Sequence, residues 1–174
     1  VTGTAERGGA LILTADLPPD LHAWATALRT AHFPPERNHL SAHVTLFHAL
    51  PEPYHAEIDR LLKAQTKLEA PIPARLVGLM SLGGGTALKL ESPDLMDLRR
   101  DVAERMFDLL TAQDRNTPRL HVTIQNKVSS TKAKALQAEL DGTIAPGDFR
   151  FLSISLHRYL GGPWEKLATY RFRG

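Results

Sequence analysis

Two histidines and two threonines carry the clearest chemical signal in this chain. They stand in two copies of one pattern, His43-Val44-Thr45-Leu46 and His121-Val122-Thr123-Ile124, a little under half the chain apart. Imidazole titrates near neutral pH, so two of them flanking a substrate can remove a proton on one side and deliver one on the other. A hydroxyl beside each imidazole can donate a hydrogen bond to a charged oxygen. An acid, a base and two such donors suit displacement at a phosphate diester. The anionic oxygens need donors, and in-line attack needs a proton donor and an acceptor facing one another. A strained 2′,3′-cyclic phosphate could open on such a site without a metal ion.

Both patterns lie in short β-branched runs, Ala42–Phe47 and Leu120–Gln125, with the alternation of a half-buried strand. Side chains of a strand point alternately to opposite faces. His43, Thr45 and Phe47 therefore share one face, opposite Val44 and Leu46. His121, Thr123 and Gln125 share another, opposite Val122 and Ile124. Phe47 and Gln125 accordingly could line the pocket floor, and Phe47 could equally pack at the strand end. The repeat implies two similar lobes, each contributing one His/Thr pair to a shared cleft.

The remaining elements must position those strands. A first strand is expected over Ala10–Ala15, then a helix from about Pro19 with Leu21, Trp24 and Leu28 inward, stopped by Pro34-Pro35. A second helix, roughly Tyr54–Lys67, follows the first motif strand. Arg75–Leu82 and Ala87–Glu91 flank Gly83-Gly84-Gly85 as a hairpin; a phosphate cradle there would need a helix start or Lys-Ser/Thr directly after it. Ser92-Pro93 opens a third helix striped by Leu95, Leu98, Val102, Met106 and Leu109 and ending before Asp114–Pro118. The fourth, Thr131–Leu140, is capped by Gly142. Extended stretches Phe149–Tyr159 and Leu167–Phe172 close the chain around a Gly161-Gly162-Pro163-Trp164 turn. Helix, motif strand, helix thus occurs twice. Short connections predict an α+β fold: a bilobal, pseudo-twofold pair of antiparallel sheets facing a central cleft, with helices outside.

Composition narrows the class of protein. A chain of 174 residues fits one bilobal domain over 1–174, with 1–9 as a flexible leader. Apolar content of 43% and charged content of 23% exclude a disordered chain. The apolar run Ala10–Leu13 is too short for a signal peptide or a membrane span. Cysteine is absent, which removes disulfides, thiolate ligands and a thiol nucleophile. A cytoplasmic location is expected, with no membrane and no obligate protein partner. A formal charge of +2 suits a small anionic substrate or an RNA end better than long duplex nucleic acid.

Other readings of the histidines are open. Both could be hydrogen-bonded core residues, although each having its own Thr partner argues against that. His39, His43 and His48 could hold a metal if they lay on a helix. However, Pro51 forbids a long helix there, and no acidic ligand lies near except Glu36, so neither a metal nor a cofactor is expected. Phe33, Tyr159 and Trp164 are candidates to stack on a base. Arg158 could meet a phosphate, and Lys127 follows the second motif closely enough to add charge.

The paired motifs resemble those of the two-histidine (2H) phosphoesterase superfamily. With His121-Val122-Thr123-Ile124-Gln125-Asn126 and Tyr159-Leu160-Gly161-Gly162-Pro163-Trp164, the chain is most similar to its bacterial 2′-5′ RNA ligase-like branch, over roughly Ala10–Phe172. The resemblance implies a cyclic phosphodiesterase of RNA processing, acting on a nucleotide or RNA end, commonly to give a 2′-phosphate. It implies equally a 2′-5′ RNA ligase, and a non-catalytic RNA-end-binding module is the remaining alternative. It further implies His121 as base, His43 as acid, and Thr45 and Thr123 as holders of phosphate oxygens. Some ligase-type members carry Arg after the second motif, where this chain has Gln125-Asn126-Lys127, which weighs against ligation of large RNA.

Overall fold

A computed structural model of the chain describes residues 9–174. Of the expected leader, only Gly9 is among them, and it is buried. The elements run β1 (Leu11–Ala15), α1 (Pro19–His32), β2 (Val44–Leu50), α2 (His55–Lys67), β3 (Ile72–Ser81), β4 (Thr86–Glu91), α3 (Pro93–Arg105), α4 (Ala112–Arg115), β5 (His121–Gln125), α5 (Ser130–Leu140), β6 (Gly147–Phe151), β7 (Ser153–Tyr159) and β8 (Trp164–Arg171). Two four-stranded antiparallel sheets result, ordered β2-β1-β7-β8 and β5-β4-β3-β6. This is the expected α+β fold. Each motif strand is the edge of its sheet, paired with β1 in one case and β4 in the other. The repeat in sequence is therefore a repeat in topology.

Local chemistry explains the boundaries. Prolines at the first helical turn start α1 and α3, where their missing N–H is no loss. The Ser92 hydroxyl caps α3 by accepting from Leu95 N, and Ser129 caps α5 by accepting from Lys132 N. Gly83, at φ +81°, makes the turn between β3 and β4. The core is aliphatic with two large aromatics, Phe47 and Phe151, fully buried beside Leu13, Leu46, Leu62, Leu95 and Ile124. Each such side chain contributes about 1.5–3 kcal/mol on burial.

The same irregularity follows both threonines. Leu13 pairs with Phe47 but Thr14 with Thr45, which leaves Leu46 as an extra residue on β2. Thr86 pairs with Gln125 but Ala87 with Thr123, which leaves Ile124 extra on β5. A bulge of one residue breaks the alternation. Leu46 and Phe47 are consecutively buried, as are Ile124 and Gln125. Phe47 and Gln125 thus do not lie on the pocket floor. Phe47 packs in the core, 4.2 Å beneath the Arg99 guanidinium, and Gln125 Oε1 accepts from the Thr86 hydroxyl at 3.0 Å.

Other differences have equally physical causes. Phe149–Tyr159 is two strands, because the chain crosses between sheets at exposed Leu152: β6 pairs with β3, and β7 with β1. Trp164 opens β8 opposite Tyr159 instead of lying in the turn, which Gly161 supplies at φ +90°. α3 ends at Arg105, before the Met106 and Leu109 expected on its stripe, and the separate α4 straddles the expected end of that helix. On α1 the fully buried positions are Ala25 and Arg29, whereas Trp24 is 38% exposed.

Candidate active site

The motif strands β2 and β5 meet as neighbouring sheet edges. Their histidines are held in the same manner. His43 Nδ1 lies 2.8 Å from Ser41 O, and His121 Nδ1 lies 2.7 Å from Arg119 O, in each case the carbonyl two residues upstream. A carbonyl oxygen only accepts, so the proton of each neutral ring sits on Nδ1. Nε2 is then left on both rings to take up or release a proton. Thr45 and Thr123, two residues on, are half-buried like the histidines. Burial pushes His43 down from 6.5 to about 4, against the pull of the Ser41 carbonyl; nearby Arg29, His157 and His121 push the same way as burial. Hence His43 is neutral at pH 7.

Each edge strand is held by residues of the other half of the molecule. α1 packs across β5, and its Arg29 donates from Nη1 to Thr123 O at 3.0 Å and from Nε to Asn38 Oδ1 at 2.8 Å. In the opposite direction, α4 packs on β2 and α3 reaches it through Arg99. Arg99 Nε donates to Leu46 O at 3.1 Å, and its Nη2 donates to the main-chain oxygen of Asp114. The Asp114 carboxylate accepts from His48 N and Ala49 N, both at 2.8 Å. These contacts satisfy an edge that would otherwise present unpaired main-chain groups.

Beside His43 a cavity of about 500 Å³ opens on the first sheet, lined by Trp164, His157, Lys166, Asp16, His39 and His22, among others. Trp164 lies against His43, with ring centroids 4.7 Å apart, and 5.3 Å from His157. His157 Nε2 is 2.9 Å from the Thr14 hydroxyl, and burial and nearby Lys166 lower its pKa. At the floor, Asp16 Oδ2 accepts from the hydroxyls of Ser153 and Ser155, both at 2.7 Å. Among the described residues no three His, Asp or Glu side chains converge as metal ligands, His39, His43 and His48 included.

The sequence-derived candidates separate on these grounds. His43 and Trp164 line the cavity together. Arg158 does not face it: its Nη1 pairs with Glu165 at 2.9 Å and its Nη2 with Glu52 at 3.4 Å. Tyr159 is exposed at the end of β7. Lys127 is exposed in a turn at φ +62°, and Phe33 is buried under Arg29. His22 is half-buried and lies 3.1 Å from the Ser41 hydroxyl. Sequence reading missed Arg29, Arg99, Asp114 and His157. One signal was present: Ala25 and Arg29 extend the spacing begun by Leu21, and Arg99 sits within the Leu95–Val102 stripe, so both arginines occupy inward positions.

Comparison with known proteins agrees with this architecture. No curated protein sequence matches the chain. Among solved structures, TT0787 of Thermus thermophilus aligns with a TM-score of 0.65 at 19% identity, covering 95% of this chain and 98% of its own. LigT of E. coli complexed with 3′-AMP aligns with a TM-score of 0.65 at 18% identity, covering 96% and 99%. Usb1 of Kluyveromyces marxianus with uridine monophosphate reaches 0.50 at 15% identity, covering 97% and 99%. At these identities the likeness concerns the fold. The profile of the family described as 2′-5′ RNA ligase superfamily matches residues 17–163, most of the chain and both His/Thr motifs. On that match, the chain belongs to the 2′-5′ RNA ligase superfamily of two-histidine phosphoesterases.

Proposed function

We propose that the protein is a metal-independent phosphodiesterase that opens 2′,3′-cyclic phosphates of nucleotides or RNA ends. One observation carries the reading: two imidazoles, at the starts of neighbouring edge strands, are each tied through Nδ1 to a carbonyl so that Nε2 is left for proton exchange. His121 takes the proton of the attacking water as its oxygen bonds to phosphorus. The bond from phosphorus to the 3′-oxygen breaks, His43 protonates that oxygen through Nε2, and a 2′-phosphate results. The hydroxyls of Thr45 and Thr123 donate to the non-bridging oxygens while charge builds on them. His43 is neutral in the free protein. Its proton is acquired on binding, because an adjacent anion favours the charged imidazole. The cavity against Trp164 is of the size that holds a nucleoside.

The test is mass spectrometry of products after incubation with a panel of 2′,3′-cyclic nucleotides, with and without EDTA. A 2′-phosphate is the expected product, unchanged by chelation. His43→Ala and His121→Ala should each lower turnover about 10²–10⁴-fold, and Thr45→Ala and Thr123→Ala about 10²–10³-fold. Full activity in both histidine variants would reject the assignment. Tight nucleotide binding without any product would make the protein a binding module.

A further inference from the structure

Arg29 is a buried cation without a carboxylate partner among the described residues. It is 4% exposed, and the ion pairs among the described residues do not include it. Its partners are neutral: Asn38 Oδ1 at 2.8 Å, Thr123 O at 3.0 Å and the Phe33 ring at 4.1 Å. The pseudo-twofold makes this unusual. Arg99, which performs the same crossing from the other half, has the Asp114 charge beside it. A buried charge is costly unless an opposite charge compensates it. Arg29 touches both halves of the site, since Asn38 belongs to the loop leading to His43 and the Thr123 carbonyl belongs to the second motif. Its charge also reaches the His43 ring.

We propose that the missing counter-charge is the phosphate of the substrate, so that Arg29 serves both as the electrostatic partner of the bound anion and as the positioning residue that holds the two motifs together. This rests on the proposed function only in taking the ligand to be a phosphate. Binding then relieves an unpaired charge already present in the fold, which favours the anion without direct contact. Holding Asn38 and Thr123 O at once requires the planar fork of a guanidinium; an ammonium supplies a similar charge but not that geometry.

Arg29→Met and Arg29→Lys separate the two roles, with inorganic phosphate as the probe. Calorimetry gives its affinity at low and high salt, NMR follows the His43 ring, and urea melts check folding. The Met variant should bind phosphate about 10- to 100-fold more weakly, as expected for loss of a unit charge roughly 6–12 Å away at an effective dielectric constant of about 20. Its His43 should titrate at higher pH than in the wild type. The Lys variant should keep most of the phosphate affinity but lose turnover. If the Met variant does not fold, the Lys variant decides. Wild-type turnover in it overturns the positioning role, and loss of its phosphate affinity overturns the charge role. A folded Met variant with unchanged phosphate affinity and an unmoved His43 overturns the proposal. Failure of the wild-type protein to turn over any cyclic nucleotide, with Arg29-dependent phosphate binding intact, would reject the hydrolase reading and support this one.

Discussion

Asp114→Ala should be among the most destabilising single changes in the first motif's surroundings. The Asp114 carboxylate is 1% exposed and holds two consecutive main-chain N–H groups, those of His48 and Ala49. Both point to it because β2 gains a residue on β1 between Phe47 and Leu50, so neither finds a ladder partner on that side. Removing the carboxylate leaves two donors without partners at a cost of about 1–3 kcal/mol each, and deprives Arg99 of its nearby negative charge. The sum is about 3–5 kcal/mol, a large part of the stability of about 5–15 kcal/mol typical of a domain. Asp114→Asn, which keeps one accepting oxygen, should lose about half as much. Acid dependence gives an independent check. Burial alone would raise the Asp114 carboxyl, but hydrogen bonds from His48 and Ala49 hold it below its usual value. A carboxyl lowered in the folded state contributes stability above about pH 4 that is lost as pH falls further. The Asn variant should lack that limb. Urea unfolding at pH 7 and at pH 3–4 measures both effects. An Asp114→Ala protein within about 0.5 kcal/mol of wild type would refute the view that this carboxylate closes the edge.

Two further outcomes are expected on the same physical grounds. His43 is neutral in the folded chain down to about pH 4 but titrates near 6.5 when unfolded. The unfolded state binds more protons between those values, so stability should fall by about 3 kcal/mol as pH drops from 6.5 to 4. His43→Ala should flatten that slope, inorganic phosphate should raise the His43 titration seen by NMR, and equal slopes in both proteins would count against a desolvated ring. Gly85→Ala would place a Cβ 2.1 Å from Gln125 O and 2.8 Å from Asn126 Cα. Main-chain atoms must shift, at about 1–3 kcal/mol, whereas Gly83→Ala, with open space but φ +81°, should cost about 1 kcal/mol. Thermal melts that reverse this order would place the hairpin tip elsewhere.

Much of this molecule is legible in short windows of sequence. The period-2 runs around His43 and His121, the helical stripe from Leu95 to Met106 and the turn at Gly83 are local signals. Each reports which face of an element must be apolar, and the elements formed where those signals lie. The duplicated His/Thr spacing likewise carried the family by itself. What tertiary structure alone decided lies beyond that range. Phe47 and Gln125 left the motif face because bulges at Leu46 and Ile124 depend on registry with β1 and β4. Phe149–Tyr159 became two strands because two different sheets compete for it. Spacing can place Arg29 and Arg99 on inward faces, but what they and Asp114 hold is not legible locally, because those partners lie 94, 53 and 66 residues away. The physical reason is the same in each case. Periodicity records which side of an element avoids water, but a charge becomes buried, and a strand changes face, only through contacts that the folded chain brings from the other half of the molecule.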